Sequence, residues 1–405
     1  MSRHARLIAK LADRLRRREV DRLAYFHTDH FEPWRSIDNA PAIGPESVLA
    51  VHDFCRSTER LEYARRLTLF YKPYVGYALR PGTDLLRVEP SDLVGFRPRS
   101  EVQARCGREA MSAVATSTCH DIQLHLHHER FTATSRHTDP DLVQWFSGPQ
   151  GRSLDGSRLE LAIRLSREAI AQETDRTDTR WFFVHGQWAL NASDERSCTI
   201  TNEIDILRRN GCAGDFTFPA DYAHTNPRIE VPYFCRPVDK AKGYDSPEAE
   251  PEVACGNAAA AGEKFFIWSS SAKAGHVSLD YMFEPVRTNL ANIDKAAIQL
   301  LADAYAGDRT LFIKTHAHSM NAAYFRSGNA PVFPHEYPPA RELLSIVFEA
   351  ATRADVEVKF LTAPEVHDTL VFAATKPEID LQEPFRGLFS LSYKVRRLIN
   401  GALGR

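Results

Sequence analysis

The chain has 405 residues, of which 43% are hydrophobic and 26% are charged, as in an ordinary globular protein with a sizeable core. Its 51 basic and 53 acidic side chains nearly balance, which excludes the basic surplus typical of a nucleic-acid-binding domain. We therefore expect no nucleic-acid partner.

The chain begins with a basic segment, residues 1–20, that predicts an amphipathic helix. After it, short apolar runs bounded by polar residues predict strands, and segments with helical spacing lie between several of them. Strands that alternate with helices predict parallel pairing. In chain order the predicted strands are 22–30, 122–128, 181–186, 215–219, 264–270, 309–318 and 356–365, and the predicted helices are 100–116, 157–172, 200–210, 288–306 and 339–354.

We assign residues 21–370 to one α/β domain, an irregular parallel (β/α) barrel of about seven strands with inserted loops. Within it, residues 31–100 show no clean period and predict no definite element, whereas residues 237–262 are rich in Pro, Ala, Gly and Glu and predict a long loop. Residues 371–405 form a second basic, amphipathic extension. Like residues 1–20, this extension either packs on the barrel or makes a peripheral contact with a membrane surface.

The cysteine pattern and the absence of long apolar segments bear on location. Seven cysteines, an odd number without any C-x-x-C pair, favour reduced thiols and a cytoplasmic protein. The first residues lack the apolar run of a signal peptide. No segment approaches the ~20 apolar residues of a transmembrane helix, so we expect no transmembrane segment.

The strongest chemical signal is a run of histidines, His125-Leu126-His127-His128, at the end of a predicted strand. Residues i and i+2 of a strand project from the same face, so His125 and His127 can reach one ion. Neutral imidazoles are good ligands for zinc and similar divalent metals. Alone, the pair is equally compatible with polar packing or with hydrogen bonds that support another group.

Four other predicted strands also end in acidic or imidazole side chains. In a parallel barrel the C-terminal strand ends open on one face, so groups that are distant in sequence converge there. We therefore expect a single polar site at that face. The residues concerned are Asp29 with His30, His185, Asp215, and His316 with His318.

The order of these motifs resembles the polysaccharide deacetylase superfamily, whose members remove N-acetyl or related acyl groups from sugars with the help of a metal ion. The segments that carry the resemblance are YFHTDHFEP (25–33), HLHHE (125–129), DFTFPA (215–220) and LFIKTHAH (311–318). The resemblance implies a hydrolase that removes an acyl group, expected to be acetyl, from a saccharide or glycoconjugate. It also implies one divalent metal ion as cofactor, expected to be zinc.

The same resemblance implies roles for particular residues. Metal ligands would come from Asp29, His30, His125 and His127, and not all four need bind. Asp29 is either a ligand or the base that takes a proton from water, and His316 would protonate the leaving amine. Six further residues are expected to contact substrate or to orient the ligands: Glu32, His128, His185, Asp215, His318 and Trp188.

Three departures from the family pattern leave alternatives open. The usual second Asp of the first motif is His30, and Glu32 could restore an anionic contact. Because position 129 is Glu, the partner of His125 is either His127 or His128. The third motif, DFTFPA (215–220), lacks the arginine that the family usually has there.

Two other hypotheses remain at this point. A glycoside hydrolase would need two carboxylates, and Glu32 with Asp215 could supply them. A catalytically silent sugar-binding or scaffold protein would retain the fold without the chemistry. A G-x-S-x-G hydrolase and a nucleotide-binding enzyme are disfavoured, because neither type of motif occurs in the sequence.

Overall fold

The computed structural model describes residues 2–34, 44–73, 76–79, 81–82, 93–97, 101–117, 119–126, 156–177, 180–194, 198–218, 225, 227–269, 293–320, 333–377 and 381. The helices are α1 (Arg3–Arg17), α2 (Pro45–Thr58), α3 (Glu101–Ser117), α4 (Gly156–Thr174), α5 (Glu203–Arg209), α6 (Ala258–Ala261), α7 (Ile293–Asp303), α8 (Pro338–Arg353) and α9 (Ala363–Val371). The strands are β1 (Arg22–Phe31), β2 (Thr68–Tyr71), β3 (Gly76–Leu79), β4 (Leu93–Arg97), β5 (Asp121–Leu126), β6 (Trp181–His185), β7 (Cys212–Asp215), β8 (Tyr233–Cys235), β9 (Glu252–Val253), β10 (Phe265–Ile267), β11 (Tyr305–Gly307), β12 (Thr310–Ala317) and β13 (Glu357–Phe360).

Most of the strands form a large, mostly parallel sheet in the order β11-β12-β1-β2-β5-β6-β7-β10-β8-β9, with β13 beside the first half of β1. Strands β8, β9 and β11 pair in the antiparallel sense, and the others in this sheet are parallel to their neighbours. The predicted α/β class is confirmed. Closure into a barrel is not: over the described ranges this eleven-stranded sheet stays open, with β11 at one end and β9 at the other.

The predicted helices correspond to α3, α4, α5, α7 and α8, and most predicted strands fall on β1, β5, β6, β10, β12 and β13. The strand predicted at 215–219 lies earlier in the chain, because β7 (Cys212–Asp215) ends at Asp215 instead of beginning there. The signal is weak there, since β7 contains Ala213 and Gly214 in place of large apolar residues. Gly214 faces Phe266 of β10 so closely that a larger residue would not fit.

Two regions differ from the sequence prediction. Residues 31–100 contain α2 and the buried strand β2, which separates β1 from β5 in the sheet. Residues 237–262 are not one long loop, because they include two 3₁₀ turns, β9 and α6. Strands β2 and β9 and helix α6 have only two to four residues each, and such short elements carry too little periodic pattern to be recognised.

Helix α1 lies in the segment where the sequence predicts an amphipathic helix, and it packs against α7 and α8. Its apolar residues recur at helical spacing and join a buried cluster with residues of α7 and α8: Leu7, Ile8, Leu11, Ala12 and Leu15. The C-terminal segment 371–405 begins inside α9 and lies largely outside the described residues. None of the helices described is both long and apolar enough to cross a membrane.

Side chains on β1 alternate between two buried faces, which we name by their residues. The inner face carries Phe26, Thr28 and His30, and the outer face carries Tyr25, His27 and Asp29. On the inner face Phe26 lies 4.7 Å from Trp268 between ring centres, and Trp268 stacks on Phe216. This aromatic layer is the floor beneath the ends of the strands.

A lysine ties two distant parts of the sheet together across the inner face. Lys314 of β12 donates hydrogen bonds to the backbone carbonyls of Phe216, at 2.8 Å, and Phe218, at 3.4 Å. Its ammonium group is buried, so these carbonyl acceptors compensate part of the cost of removing it from water. The sheet therefore curls over the aromatic floor even though its end strands do not pair.

Replacing Gly214 with alanine tests the close contact between β7 and β10. A Cβ at Gly214 would lie 2.6 Å from Phe266 Cβ and 2.8 Å from its backbone oxygen. We expect Gly214→Ala to lower the free energy of unfolding by ~1–3 kcal/mol, measured by urea denaturation, because a packed core resists added volume. Gly262→Ala is the matched control, since no atom lies within 4 Å of its added Cβ, and equal effects of the two variants would contradict the explanation.

The Arg180–Asp368 ion pair predicts a dependence of stability on pH. Burial raises the pKa of Asp368, but hydrogen bonds from His367 and Arg180 outweigh burial and lower it below 3.8. A depressed carboxylate pKa gives stability that is present above the unfolded-state pKa and is lost as the pH falls. Both side chains are partly exposed, so Arg180→Ala should cost only ~0.2–1 kcal/mol at pH 7.

The cost of Arg180→Ala should shrink as the pH falls below about 4, where Asp368 becomes protonated in the unfolded state and then in the folded state. Urea denaturation of the wild type and the variant at a series of pH values measures this difference. A cost that stayed constant from pH 7 to acid would show that Arg180 acts through packing alone.

Candidate functional site

Four imidazoles from three parts of the chain meet on the inner face. The ring centre of His30 lies 4.7 Å from that of His125, 5.5 Å from that of His316 and 4.5 Å from that of His318. Two imidazoles on one tetrahedral ion at bond lengths of ~2.0–2.1 Å have ring centres about 5 Å apart. The spacing of the cluster is therefore that of side chains able to share a cation.

The register of the parallel strands brings these residues together. Thr28 of β1 pairs with His316 of β12, so His316 projects from the inner face like His30 two residues farther along β1. Across β2, Phe70 pairs with both His30 and Gln123, and His125 is two residues beyond Gln123 on the same face. The imidazoles thus lie at or just beyond the C-terminal ends of β1, β5 and β12.

The cluster is buried at its base and partly exposed at His318. His125 and His316 are fully buried, His30 is 4% exposed, and His318 is half-buried. Burial lowers the pKa of His30 well below its ordinary value, and the nearby His318, His125 and His316 lower it further, while Glu32 opposes the shift. His30 is therefore a neutral imidazole, the form that binds metals.

His125 is oriented by the backbone of the next strand. Its Nδ1 lies 2.8 Å from the carbonyl oxygen of Val184, which can only accept, so Nδ1 carries the proton and donates it. In the neutral ring the lone pair is then on Nε2, which lies 4.0 Å from Glu32 Oε1. Metal-binding histidines are commonly fixed by a hydrogen bond of this kind.

Glu32 supplies a carboxylate group beside the imidazole cluster. It follows β1 and is 5% exposed, and its Oε1 lies 3.6 Å from Lys72 Nζ, just beyond β2. The ammonium group favours the ionised carboxylate. A negative charge therefore lies beside the imidazoles of His125 and His30.

Asp29 lies on the outer face, away from the imidazole of the adjacent His30. Its carboxylate accepts from the backbone N–H of Ser319, at 3.2 and 3.3 Å, and from the Ser319 hydroxyl. His27 Nε2 lies 3.5 Å from Asp29 Oδ2, and His27 Nδ1 lies 2.8 Å from Thr315 Oγ1. Asp29 thereby fixes Ser319, the residue after His318. The sequence motif did not suggest this contact.

His185 and Asp215 also lie on the outer face. The pairs His125–Val184 and Phe183–Asp215 in the register show that His185 and Asp215 project opposite to His125. The Asp215 carboxylate accepts from the backbone N–H and hydroxyl of Thr217, at 2.8 and 2.6 Å. Burial raises the pKa of Asp215 to about 7, despite these hydrogen bonds.

A second group of ligating side chains surrounds His185 on this outer face. His185, Cys198 and Glu203 are each fully buried, and one ligand atom from each lies within 4.8 Å of the other two. Such a group could hold a metal ion. Neither Cys198 nor Glu203 carries a recognisable signal in the sequence, because one lies on a loop and the other at the start of a helix, without any metal-ligand spacing.

The predicted site residues therefore divide into several groups. The structure brings together His30, His125, His316 and His318, with Glu32 beside them. Asp29, His185 and Asp215 project from the opposite face. Trp188 is buried in a 3₁₀ turn after β6, with a left-handed φ of 54°. His127 and His128 lie outside the described residues.

Comparisons with known proteins give little guidance. No protein-family model matches the chain, and no curated protein matches it. A solved structure from Mycobacterium smegmatis, described as a candidate polysaccharide deacetylase, aligns with 89% of this chain and 96% of its own at 12% identity and a TM-score of 0.42. Similarity at this level carries no functional argument, so function rests on the site itself.

Ser319→Ala tests the link between Asp29 and the segment after β12. Removing the hydroxyl takes one donor from a fully buried carboxylate, so the free energy of unfolding should fall by ~1.5–3 kcal/mol in urea denaturation. Ser269→Ala is the control, because this buried hydroxyl donates to the neutral carbonyl of Ile229 and should cost only ~0.5–1.5 kcal/mol. A smaller loss for Ser319→Ala than for the control would contradict a stabilising hydrogen bond from Ser319 to the buried Asp29 carboxylate.

Proposed function

We propose that this protein is a metal-dependent hydrolase that removes an N- or O-acyl group, acetyl in the first instance, from a saccharide or glycoconjugate. The observation that carries the proposal is the convergence of His30, His125, His316 and His318 on one face of the sheet. Parallel α/β folds place their chemistry at the C-terminal ends of the strands, where these histidines lie.

The proposed ligands are His30 and His125, together with a third donor. Catalytic zinc sites take three protein ligands and leave one position open. His318 is the candidate third ligand among the described residues, because its ring is closest to that of His30 and is half-buried. His127 stays a candidate on the strength of the sequence pattern alone.

A bound zinc ion would supply a Lewis acid that polarises the acyl carbonyl and activates water. Glu32 would accept the proton of the attacking water, because its carboxylate lies beside His125 and is kept ionised by Lys72. His316, fully buried on the same face, would then deliver a proton to the leaving group. His316 would act in its protonated, imidazolium form, and the proton that Glu32 takes from water would replace the one that His316 gives up.

We assign Asp29 a positioning role. Its bonds to Ser319 and His27 support neither direct ligation nor proton abstraction, since the carboxylate points away from His30. By fixing Ser319, it holds His318 against His30. Asp215 and His185 are likewise assigned to the support of the sheet and not to substrate.

Metal analysis and an acetate-release assay test the proposal together. The full chain should contain a stoichiometric divalent ion bound at the imidazole cluster and should release acetate from members of a panel of N- and O-acetylated saccharides. Chelation should abolish release. His30→Gln and His125→Gln should lose that ion and at least ~100-fold in kcat/KM, since loss of a residue that merely supports a ligand costs ~10–100-fold.

His335→Gln is the matched control for the loss of a buried imidazole. His335 is 4% exposed and hydrogen bonds to Ser57 in the helical layer, so its replacement should perturb stability without loss of metal. If His30→Gln and His125→Gln retained the metal ion, the proposal would be contradicted. A chain without metal that cleaves glycosidic bonds, or that binds sugars without turnover, would favour one of the alternatives considered from the sequence.

A further inference from the structure

The outer face of β6 carries a group of side chains that the proposed reaction does not use. His185 ends β6, Cys198 lies on the connection that follows, and Glu203 opens α5. All three are fully buried. His185 projects opposite to the His30 imidazole cluster, so this group is a separate feature of the fold.

The ligand atoms face one another at short range. His185 Nε2 lies 3.6 Å from Glu203 Oε1, and Cys198 Sγ lies 3.7 Å from Glu203 Oε2. The separations between donors on one tetrahedral ion, at bond lengths of ~2.0–2.3 Å, are roughly 3.3–3.8 Å. Both distances fall within this range, one at each oxygen of the Glu203 carboxylate, and one ligand atom from each of the three residues lies within 4.8 Å of the other two.

Supporting hydrogen bonds orient two of the three ligands. The His185 Nδ1 donates to the carbonyl of Gly186, so the lone pair of the neutral ring is on Nε2, the atom that faces Glu203. The backbone N–H of Asn191 donates to Glu203 Oε2 at 2.6 Å. Asn191 in turn accepts from the N–H of Ile204 at 3.2 Å, which secures the start of α5.

Charge also favours a cation at this position. A carboxylate and a thiolate are each costly to bury unless a positive charge compensates them. A divalent ion bound to Cys198, Glu203 and a neutral His185 gives a group with no net charge. Nitrogen and sulfur ligands in a tetrahedral arrangement are the preference of zinc.

We propose that His185, Cys198 and Glu203 bind a second, structural transition-metal ion of the zinc class. The ion joins the end of β6 to the start of α5 and fixes the connection between them. Complete burial of the ligands distinguishes it from the partly open imidazole cluster. We expect this ion to raise the stability of the folded protein and to take no direct part in the proposed reaction.

Cobalt(II) replacement tests this site in the full chain, because among the described residues of the two proposed sites only Cys198 offers a sulfur ligand. The metal-free protein, reloaded with cobalt(II), should show a thiolate-to-cobalt charge-transfer absorption. Cys198→Ser and Glu203→Gln should each lose one ion per chain, and Cys198→Ser should also lose this absorption. The Tm of the zinc-loaded protein should fall by several degrees in both variants.

Cys212→Ser is the matched control, because Cys212 is an equally buried thiol on the neighbouring strand and bonds to a backbone carbonyl. It should keep the ion and the absorption. His30→Gln should keep the charge-transfer absorption while losing the ion of the imidazole cluster, so the two proposals fail separately. If the wild-type protein shows no thiolate–cobalt absorption, the three side chains are a protonated, hydrogen-bonded group and the structural metal is excluded.

Discussion

Strand β1 is paired along both edges and buried on both faces, and the arrangement of the candidate site depends on this strand. Pairing with β12 on one edge and with β13 and β2 on the other fixes its register, and a shift by one residue would exchange the faces of every side chain. The register directs His30 toward His125 and His316. The same register directs Asp29 toward Ser319 on the other side.

Burial of several imidazoles together is a second constraint. Burial disfavours the charged form of His30, and repulsion between neighbouring imidazoliums adds to this effect, so the pKa of His30 lies well below its ordinary value. Neutral rings in such a group present lone pairs to a common point.

Both candidate metal groups orient a histidine in the same way. His125 donates its Nδ1 proton to Val184 and His185 donates its own to Gly186, each to a backbone carbonyl at a strand end. Adjacent strands β5 and β6 thus direct one histidine to each face of the sheet. The inner group has an accessible side at His318, which suits exchange of substrate, whereas the outer group is enclosed, which suits a structural ion.

The sequence alone determined the alternation of strands and helices, the α/β class and the presence of histidines at several strand ends, because these features depend on local periodicity and on the common direction of parallel strands. It could not determine which face each residue takes. In the sequence Asp29 and His30 are adjacent, and either one could face the site. The packing of Phe26 against Trp268 places Phe26 on the inner face, so His30, four residues farther along the same strand, also faces inward. Nor could it reveal that the sheet stays open over the described residues, or that Cys198 and Glu203 meet His185, because both outcomes depend on contacts between segments that carry no periodic signal.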